Sequence, residues 1–364
     1  MASIRAENLV KRYGNVRAVH GIDFDIADGE FVAILGPSGC GKSSTMRMIA
    51  GLETISEGSI YFDGKRINDV RARDRNVAMS FESYALYPTI TIYENIAFPL
   101  RSAGMENGEI DRRVRDIAEK MELVPLLGLK PHGLSSGQAQ RVGLARALVR
   151  KPAVFLLDEP ISHLDTRQRY RMRRFIKSLH QEFSYTMIYV THDQEEALAL
   201  ADRVIVMSDG EIQQMDVPDE VYARPRNAFV AGFVGEPPIN FLDCTVKDDA
   251  SGWSIEIQGQ KLALPQRLHE TAQRIGSGGL AAIRPHFLSI GAQSPLTLQG
   301  RVFLTEELQD QNLIFVDVGE ARLTLVAHPT IVPQRGEAVP VSIDPDQLLL
   351  FPAAELSKAE VPDL

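Results

Sequence analysis

The sequence predicts an α/β domain built on a mainly parallel sheet, followed by a small β-barrel domain. Three observations predict this. Short apolar strands alternate with amphipathic helices up to about Gly235. One of those strands runs directly into a glycine-rich turn and then a helix. Near Gly235-Glu236-Pro237-Pro238 the pattern changes to short alternating strands separated by turn clusters.

The elements follow in order. Phe31–Leu35 is an unbroken apolar run of buried-strand type, followed by glycines and then a helix through Ile49. Residues 105–127 read as mostly helical, with apolar side chains at Ile110, Val114, Ile117, Ala118 and Met121 near 3.6-residue spacing. Residues 154–157 form a second buried strand, 168–183 a basic amphipathic helix, and 186–190 a further strand. Downstream, 313–318 and 323–326 alternate as strands do, with turn clusters at 248–252, 276–279 and 319–320. The expected division is 1–235 and 236–364, with a helical subdomain at about 89–150. No internal repeat or low-complexity segment stands out.

Composition excludes some roles. The 364 residues carry 39 basic and 48 acidic side chains, a net charge of −9, so no surplus favours a nucleic-acid partner. Cys40 and Cys244 fall in different expected domains, which argues against a disulfide and fits a reducing cytosol. Charges occupy the N-terminal stretch where a signal peptide would need an apolar core. The long apolar runs, such as 154–157 and 205–207, are of core-strand length and fall far short of the ~20 residues that span a bilayer. A soluble chain is expected, with any membrane link made through a partner.

The glycine-rich turn is Gly36-Pro37-Ser38-Gly39-Cys40-Gly41-Lys42-Ser43, which satisfies G-x-x-x-x-G-K-[ST] in the strand–loop–helix setting the motif requires. Its glycines let successive N–H groups turn inward on phosphate oxygens, and the following helix adds its positive end, beginning with Ser43 and Ser44. Lys42 would neutralise β- and γ-phosphate charge, and the Ser43 hydroxyl would ligate Mg²⁺. The strand at 154–157 ends in Asp158 and Glu159. Asp158 could hold the metal's water shell, and Glu159 stands where it could polarise an attacking water.

Leu134-Ser135-Ser136-Gly137-Gln138, followed by Gln140-Arg141 and an alanine-rich helix, resembles the LSGGQ signature of ABC ATPases. Asp165 resembles the family's D-loop aspartate, His192 in Thr191-His192-Asp193 its switch histidine, and Tyr13 the aromatic residue that stacks on adenine. The segment Phe81-Glu82 to Pro88 looks like the Q-loop of carbohydrate-importer ATPases. Gly235 to Leu242 and Ala282-Ile283-Arg284-Pro285 look like landmarks of those subunits' regulatory domain.

The resemblance implies a P-loop NTPase domain of the ABC ATPase type, with a helical subdomain and a C-terminal OB-like regulatory domain. It implies catalysis by Glu159 and His192. It also implies ATP held by Tyr13, residues 36–44, Ser135, Ser136, Gly137, Gln138 and Asp165, and Mg²⁺ at Ser43, Glu82 and Asp158. The implied partners are a second ATPase subunit facing this one head-to-tail, two transmembrane permease subunits and, through them, a periplasmic solute-binding protein. The implied place is the cytoplasmic face of the bacterial inner membrane. The maltose-importer-like group, with importers of polyols, glycerol and glycerol phosphate, is the nearest likeness.

Residues 83–87 are the expected contact with the permease. Polyamine and metal importers are the alternatives for the solute. A soluble ABC ATPase of the translation or repair kind would bring two cassettes or a coiled-coil insertion, and neither is present. A scaffold with a dead site is opposed by the intact Lys42, Asp158, Glu159 and His192.

Two positions depart from the family pattern. Glu82 stands where glutamine is usual: ionised near the γ-phosphate it would add repulsion, whereas bound to Mg²⁺ it would gain attraction. Ser136 replaces the signature's first glycine, and serine caps helix N-termini well, so the phosphate contact is expected to survive. Both changes also admit pairing with a different ATPase subunit rather than a second copy.

Overall fold

The computed structural model describes residues 1–80, 86–250, 252–291, 294 and 296–354. The chain divides into two compact units, Met1–Val221 and Tyr222–Leu364. Among the described residues no helix is long and apolar enough to cross a membrane.

The first unit is organised around a six-stranded sheet in the order Glu211–Asp216, Arg203–Ser208, Phe31–Leu35, Thr186–Thr191, Val154–Asp158 and Val77–Ser80. The neighbours from Arg203–Ser208 to Val77–Ser80 pair in parallel, and only Glu211–Asp216 runs antiparallel. Every residue of Phe31–Leu35 and of Thr186–Thr191 is buried, as a parallel strand covered on both faces requires. The register fixes the site. Leu35 pairs with Thr191, and Asp158 with Val190, so the chain leaves three adjacent strands side by side at Gly36, Glu159 and His192.

A four-stranded antiparallel sheet, ordered Val16–Ile26, Ile4–Tyr13, Glu57–Phe62 and Lys65–Arg66, lies in the same unit. Its Ile4, Leu9, Phe24 and Ile60 share one core with Ile34, Val190 and Ile205 of the parallel sheet and with Met46, Met48 and Ile49 of the helix Lys42–Ala50. Each such buried side chain contributes ~1.5–3 kcal/mol, which anchors the helix behind the glycine-rich turn. Arg75, itself buried, donates to the Met48 and Ile49 carbonyls at 2.7 and 3.0 Å and so satisfies the end of that helix. Between Val77–Ser80 and Val154–Asp158 come the helices Ile92–Ser102, Asn107–Lys120 and Ser136–Leu148. Ile110, Val114, Ile117 and Ala118 are buried, as their spacing predicts, although the helix stops at Lys120 and continues as a short 3₁₀ turn, Val124–Leu126.

The second unit contains two five-stranded antiparallel sheets. One runs Gln260–Ala263, Gly252–Ile257, Asn240–Asp249, Gly278–Ile283, Leu349–Pro352; the other runs Leu288–Ile290, Ala338–Ile343, Leu296–Glu307, Asn312–Val318, Ala321–Ala327. They share one apolar core, in which Leu242, Ile255 and Ile283 of the first meet Leu298, Ile314, Leu323 and Val341 of the second, giving a small OB-like barrel. Asn240 joins the two. Its side-chain amide donates to the Thr324 carbonyl at 2.8 Å and accepts from the Thr324 N–H at 2.6 Å.

The composition change near Gly235 lies inside this unit. The helix Ala228–Phe233 packs Ala228 and Ala231 against Ile239, Leu280, Ala282 and Phe351. Arg284, buried, donates to the Ala231, Val234 and Tyr222 carbonyls and stacks its guanidinium 4.2 Å from the Tyr222 ring centroid. Packing of this unit therefore begins with a helix, before the strand-and-turn pattern that marks it in sequence. Both cysteines are free and buried.

Candidate ATP site

The turn between Phe31–Leu35 and Lys42–Ala50 can be made only with glycine at two points. A Cβ on Gly36 would lie 2.2 Å from the Met207 carbonyl oxygen, and Gly41 has φ 102° with the Ala18 oxygen 2.6 Å from where a Cβ would sit. The turn curls round Lys42, whose ammonium donates to the Gly36 and Pro37 carbonyls at 2.7 and 2.8 Å. Cys40 lies beneath it, with Sγ 3.8 Å from Lys42 Nζ. Burial pushes the Cys40 thiol above its ordinary pKa, and the Lys42 charge opposes that. A backbone this close, opening on a helix N-terminus, is a cradle for phosphate.

Tyr13 reaches the same helix. Its hydroxyl lies 3.4 Å from Ser44 Oγ, and its ring is largely exposed beside the loop. Lys11 Nζ sits 4.7 Å from the ring centroid and pairs with Glu53 at 2.8 Å. The hydrogen bond from Lys11 is the main reason the Glu53 carboxyl is held below its ordinary value.

Opposite the loop stand the carboxylates. Asp158, half-buried, closes its strand, and Glu159 follows in the left-handed region at φ 44°. The Glu159 N–H donates to the Val190 carbonyl at 2.9 Å, which pins it to the strand that carries His192. Glu159 Oε1 lies 3.3 Å from His192 Nδ1, so the two residues expected to act in catalysis stand within reach of each other.

The turn bearing His192 is held from below. The buried Glu196 accepts from Tyr189 Oη at 2.8 Å and from Thr191 Oγ1 at 2.9 Å, and Thr191 Oγ1 in turn accepts from the Asp193 N–H at 3.0 Å. Asp193 caps the helix Gln194–Leu200 and pairs with Arg169 at 3.3 Å. Burial raises the Glu196 carboxyl, and the Tyr189 and Thr191 hydroxyls partly offset it.

The signature residues gather elsewhere in the unit. Ser135 caps the helix Ser136–Leu148 in a reciprocal capping box: its Oγ accepts from the Gln138 N–H at 3.3 Å, while Gln138 Oε1 accepts from the Ser135 N–H at 2.9 Å. The cap is thus Ser135, not Ser136 as the sequence suggested, because Gln138 completes the S-x-x-Q pattern three residues after it. Ser136 Oγ instead donates to Gln168 Oε1 at 2.5 Å. Asp165 caps the helix Thr166–Phe183 by accepting from the Gln168 N–H at 2.8 Å.

Ser135, Gly137, Gln138, Arg141, Gln168 and Arg171 line an open groove of about 750 Å³, to which the glycine-rich loop contributes nothing. Glu82 and residues 83–85 lie outside the described residues. Tyr87, the described end of the expected contact segment, packs 4.8 Å from the Phe98 ring. With Phe98, Ser80 and Arg146 it lines a cavity of about 280 Å³.

Comparison with known proteins places this arrangement. An ABC transporter family model matches residues 19–162, and a TOBE domain model matches 281–351. The sn-glycerol-3-phosphate import ATP-binding protein UgpC of Cupriavidus pinatubonensis is 40% identical over 373 residues, covering 99% of this chain and 100% of that protein. The chain belongs to the ABC transporter ATP-binding family. The trehalose/maltose import ATP-binding protein MalK of Thermococcus litoralis is 44% identical over 88% of this chain and 89% of its own length. Among solved structures, the ATP-binding cassette MJ0796, dimeric in a post-hydrolysis state bound to ADP and Pi, aligns with a TM-score of 0.52 at 31% identity, covering 59% of this chain and 98% of that one.

As a member of the ABC family the chain binds ATP and is an ATPase. Sequence motifs alone did not single out Glu196, Arg169 or Gln168, and they gave Gln140 only as part of the signature's flank. In the structure Glu196 and Arg169 bond residues flanking His192, Gln140 bonds the carbonyl of Pro160 after Glu159, and Gln168 bonds Ser136; only the run Thr191-His192-Asp193-Gln194-Glu195-Glu196, dense in acid after the histidine, hinted at one of them.

Proposed function

We propose that this ABC ATPase powers import of a polyhydroxylated solute, a carbohydrate, polyol, glycerol or glycerol phosphate, as the motor subunit beneath a pair of membrane permeases. The observation that carries the mechanism is the Glu159–His192 pair at 3.3 Å, held on adjacent strand ends beside the phosphate loop. The glycine cradle and Lys42 hold the triphosphate, and Tyr13 stacks on the base from the neighbouring strand end. Glu159 accepts a proton from the attacking water, which sharpens its attack in line with the γ-phosphate. His192 bridges Glu159 and a phosphate oxygen through its two ring nitrogens and so fixes their relative positions.

Mg²⁺ fits the donors present. Among the described residues no cluster of three His, Cys, Asp or Glu could hold a metal alone. A Ser43 hydroxyl and an Asp158 carboxylate supplemented by substrate phosphates are what Mg²⁺ commonly uses. When bound, the metal neutralises charge on the β- and γ-phosphates. Glu82 is a further candidate ligand on sequence grounds.

The signature helix offers Ser135, Ser136, Gly137 and Gln138 to the γ-phosphate of a facing subunit, a reading supported by the groove at its N-terminus, which takes no residue from its own phosphate loop. Asp165, at the head of the next helix, belongs to the same interface. Two subunits thus sandwich two ATP molecules, closing when ATP is bound and reopening after hydrolysis. The cavity lined by Tyr87, Phe98 and Arg146 is the seat for the permease, and the complex lies at the cytoplasmic face of the inner membrane. A periplasmic binding protein delivers the solute through the permease.

Relatives named for sn-glycerol-3-phosphate, trehalose/maltose, alpha-glucoside and sulfoquinovosyl glycerol all handle polyhydroxylated molecules, which favours that class over polyamines and metals. Uptake of labelled solutes of these kinds by cells carrying wild type or Glu159→Gln tests the assignment. Loss of uptake of one polyhydroxylated solute in the variant is expected. Unaltered uptake of every one, with loss confined to a polyamine or metal, would overturn it.

A further inference from the structure

Lys11 is a buried cation that neither the phosphate cradle nor the Glu159–His192 pair uses. It stands two residues before Tyr13 on the strand Ile4–Tyr13, so the two side chains leave the same face of that strand. Its ammonium is placed by three acceptors: Glu53 Oε2 and the Thr54 carbonyl, both at 2.8 Å, and Thr54 Oγ1 at 3.3 Å. A lysine ammonium has three N–H groups, so every donor is used and the charge is fixed in place. Lys11 is only 4% exposed, and taking an ammonium out of water is costly even when it is paired.

That charge lies over the Tyr13 ring, with Nζ 4.7 Å from the centroid. A cation in this position is held by the negative face of the π-system and draws its electron density inward. The ring is 43% exposed, and with Lys11 over one face it is the opposite face that is open. The Tyr13 hydroxyl, 3.4 Å from Ser44 Oγ, keeps the ring beside the first turn of the helix Lys42–Ala50. Holding Glu53 and Thr54 in place needs only a hydrogen-bond donor. Polarising the ring needs a charge.

We propose, on the reading of Tyr13 as the residue that stacks on the base, that Lys11 is a positioning residue for the base of ATP and acts through that ring. The ammonium polarises the ring from one face and so strengthens stacking of the electron-rich purine on the other. Base, phenol ring and ammonium form a column whose lowest member is held by Glu53 and Thr54. Lys11 touches no nucleotide. Its contribution appears in the affinity for triphosphates that carry a base, whereas the triphosphate itself is held by the loop around Lys42.

The test uses the full-length protein and compares binding of ATP with binding of inorganic tripolyphosphate, each with Mg²⁺, by isothermal titration. Lys11→Met is expected to weaken ATP about 5-fold, the size of effect a desolvated cation over a ring has. Tripolyphosphate has no base to stack and should stay within about 2-fold of wild type, which also shows that the variant is folded. Lys11→Gln keeps a donor for the Thr54 carbonyl but not the charge, so it should weaken ATP as Lys11→Met does, and it replaces that variant if methionine is not tolerated. Tyr13→Leu should weaken ATP, and adding Lys11→Met to it should cost nothing more, because the cation then has no ring to act through.

ATP affinity unchanged in the Lys11 variants, equal weakening of ATP and tripolyphosphate, or additive losses in the double variant would each overturn this role for Lys11. ATP binding unaltered in Tyr13→Leu would instead overturn the stacking reading on which it rests.

Discussion

Replacing Glu159 with glutamine separates chemistry from structure at this site. The amide keeps an oxygen that can accept from His192 Nδ1, now at 3.3 Å from the carboxylate. It also keeps the backbone at φ 44°, whose cost of ~1–3 kcal/mol both side chains bear alike. Fold stability should therefore change by less than ~0.5 kcal/mol. What disappears is a group able to take a proton from water. Positioned bases contribute ~10²–10⁴-fold, which corresponds to about 2.7–5.5 kcal/mol of barrier at 1.36 kcal/mol per decade. ATP turnover by the assembled transporter should fall by at least ~10²-fold, while nucleotide binding, read by fluorescence titration, stays within ~3-fold of wild type. Turnover within ~3-fold of wild type would refute the assignment of Glu159 as the base. A large fall in melting temperature would show that the loss was one of folding instead.

Other changes probe the supports. Gly36→Ala puts a Cβ 2.2 Å from the Met207 oxygen, so it should abolish ATP binding by distorting the loop, which equilibrium dialysis would detect. Glu196 has a raised carboxyl, so the native state holds its proton more tightly than the unfolded chain does. The penalty for ionising it is absent below its ordinary value of 4.5 and complete only above the raised one. The melting temperature of wild type relative to Glu196→Gln should accordingly decline as pH rises from acid to neutral, and a rise would contradict the burial argument. Arg284, whose pKa burial pushes down to about 10, satisfies three carbonyls of the second unit. Arg284→Met should destabilise that unit by about 1–3 kcal/mol and leave ATP binding intact, as calorimetry with and without nucleotide would report. Truncation after Val221 removes no nucleotide-site residue and should preserve ATP affinity, measurable by isothermal titration.

Much of the site was legible before any coordinates. Motifs whose chemistry is tied to a strand end or a helix start, such as Gly36–Ser43 or Asp158-Glu159, announce themselves because both the residue types and their flanks are constrained. The same holds for the buried strands of the parallel sheet, since Phe31–Leu35 has no polar residue to spare. The four-stranded antiparallel sheet was harder to read. Ile4–Tyr13 and Val16–Ile26 carry many charges on their exposed face and include register shifts that blur the alternation. Second-layer residues were illegible for a different reason. Arg169, one cation in a helix full of them, is distinguished only by meeting Asp193, and that meeting is a fact of tertiary packing. Ser136 misled because capping depends on which serine starts the helix, which Gln138 decides.

The parallel register that brings Gly36, Glu159 and His192 out side by side also sets where this chain can change in length. An extra residue within Val154–Asp158 would shift Glu159 by about 3.3 Å and turn it to the opposite face of the sheet, so strand length is locked across three strands at once. The turns between the helices Ile92–Ser102, Asn107–Lys120 and Ser136–Leu148 are not registered against those strand ends and carry no such lock, and neither does the second unit. An insertion in those turns is expected to leave Gly36, Glu159 and His192 side by side, whereas one inside any of the three strands is not.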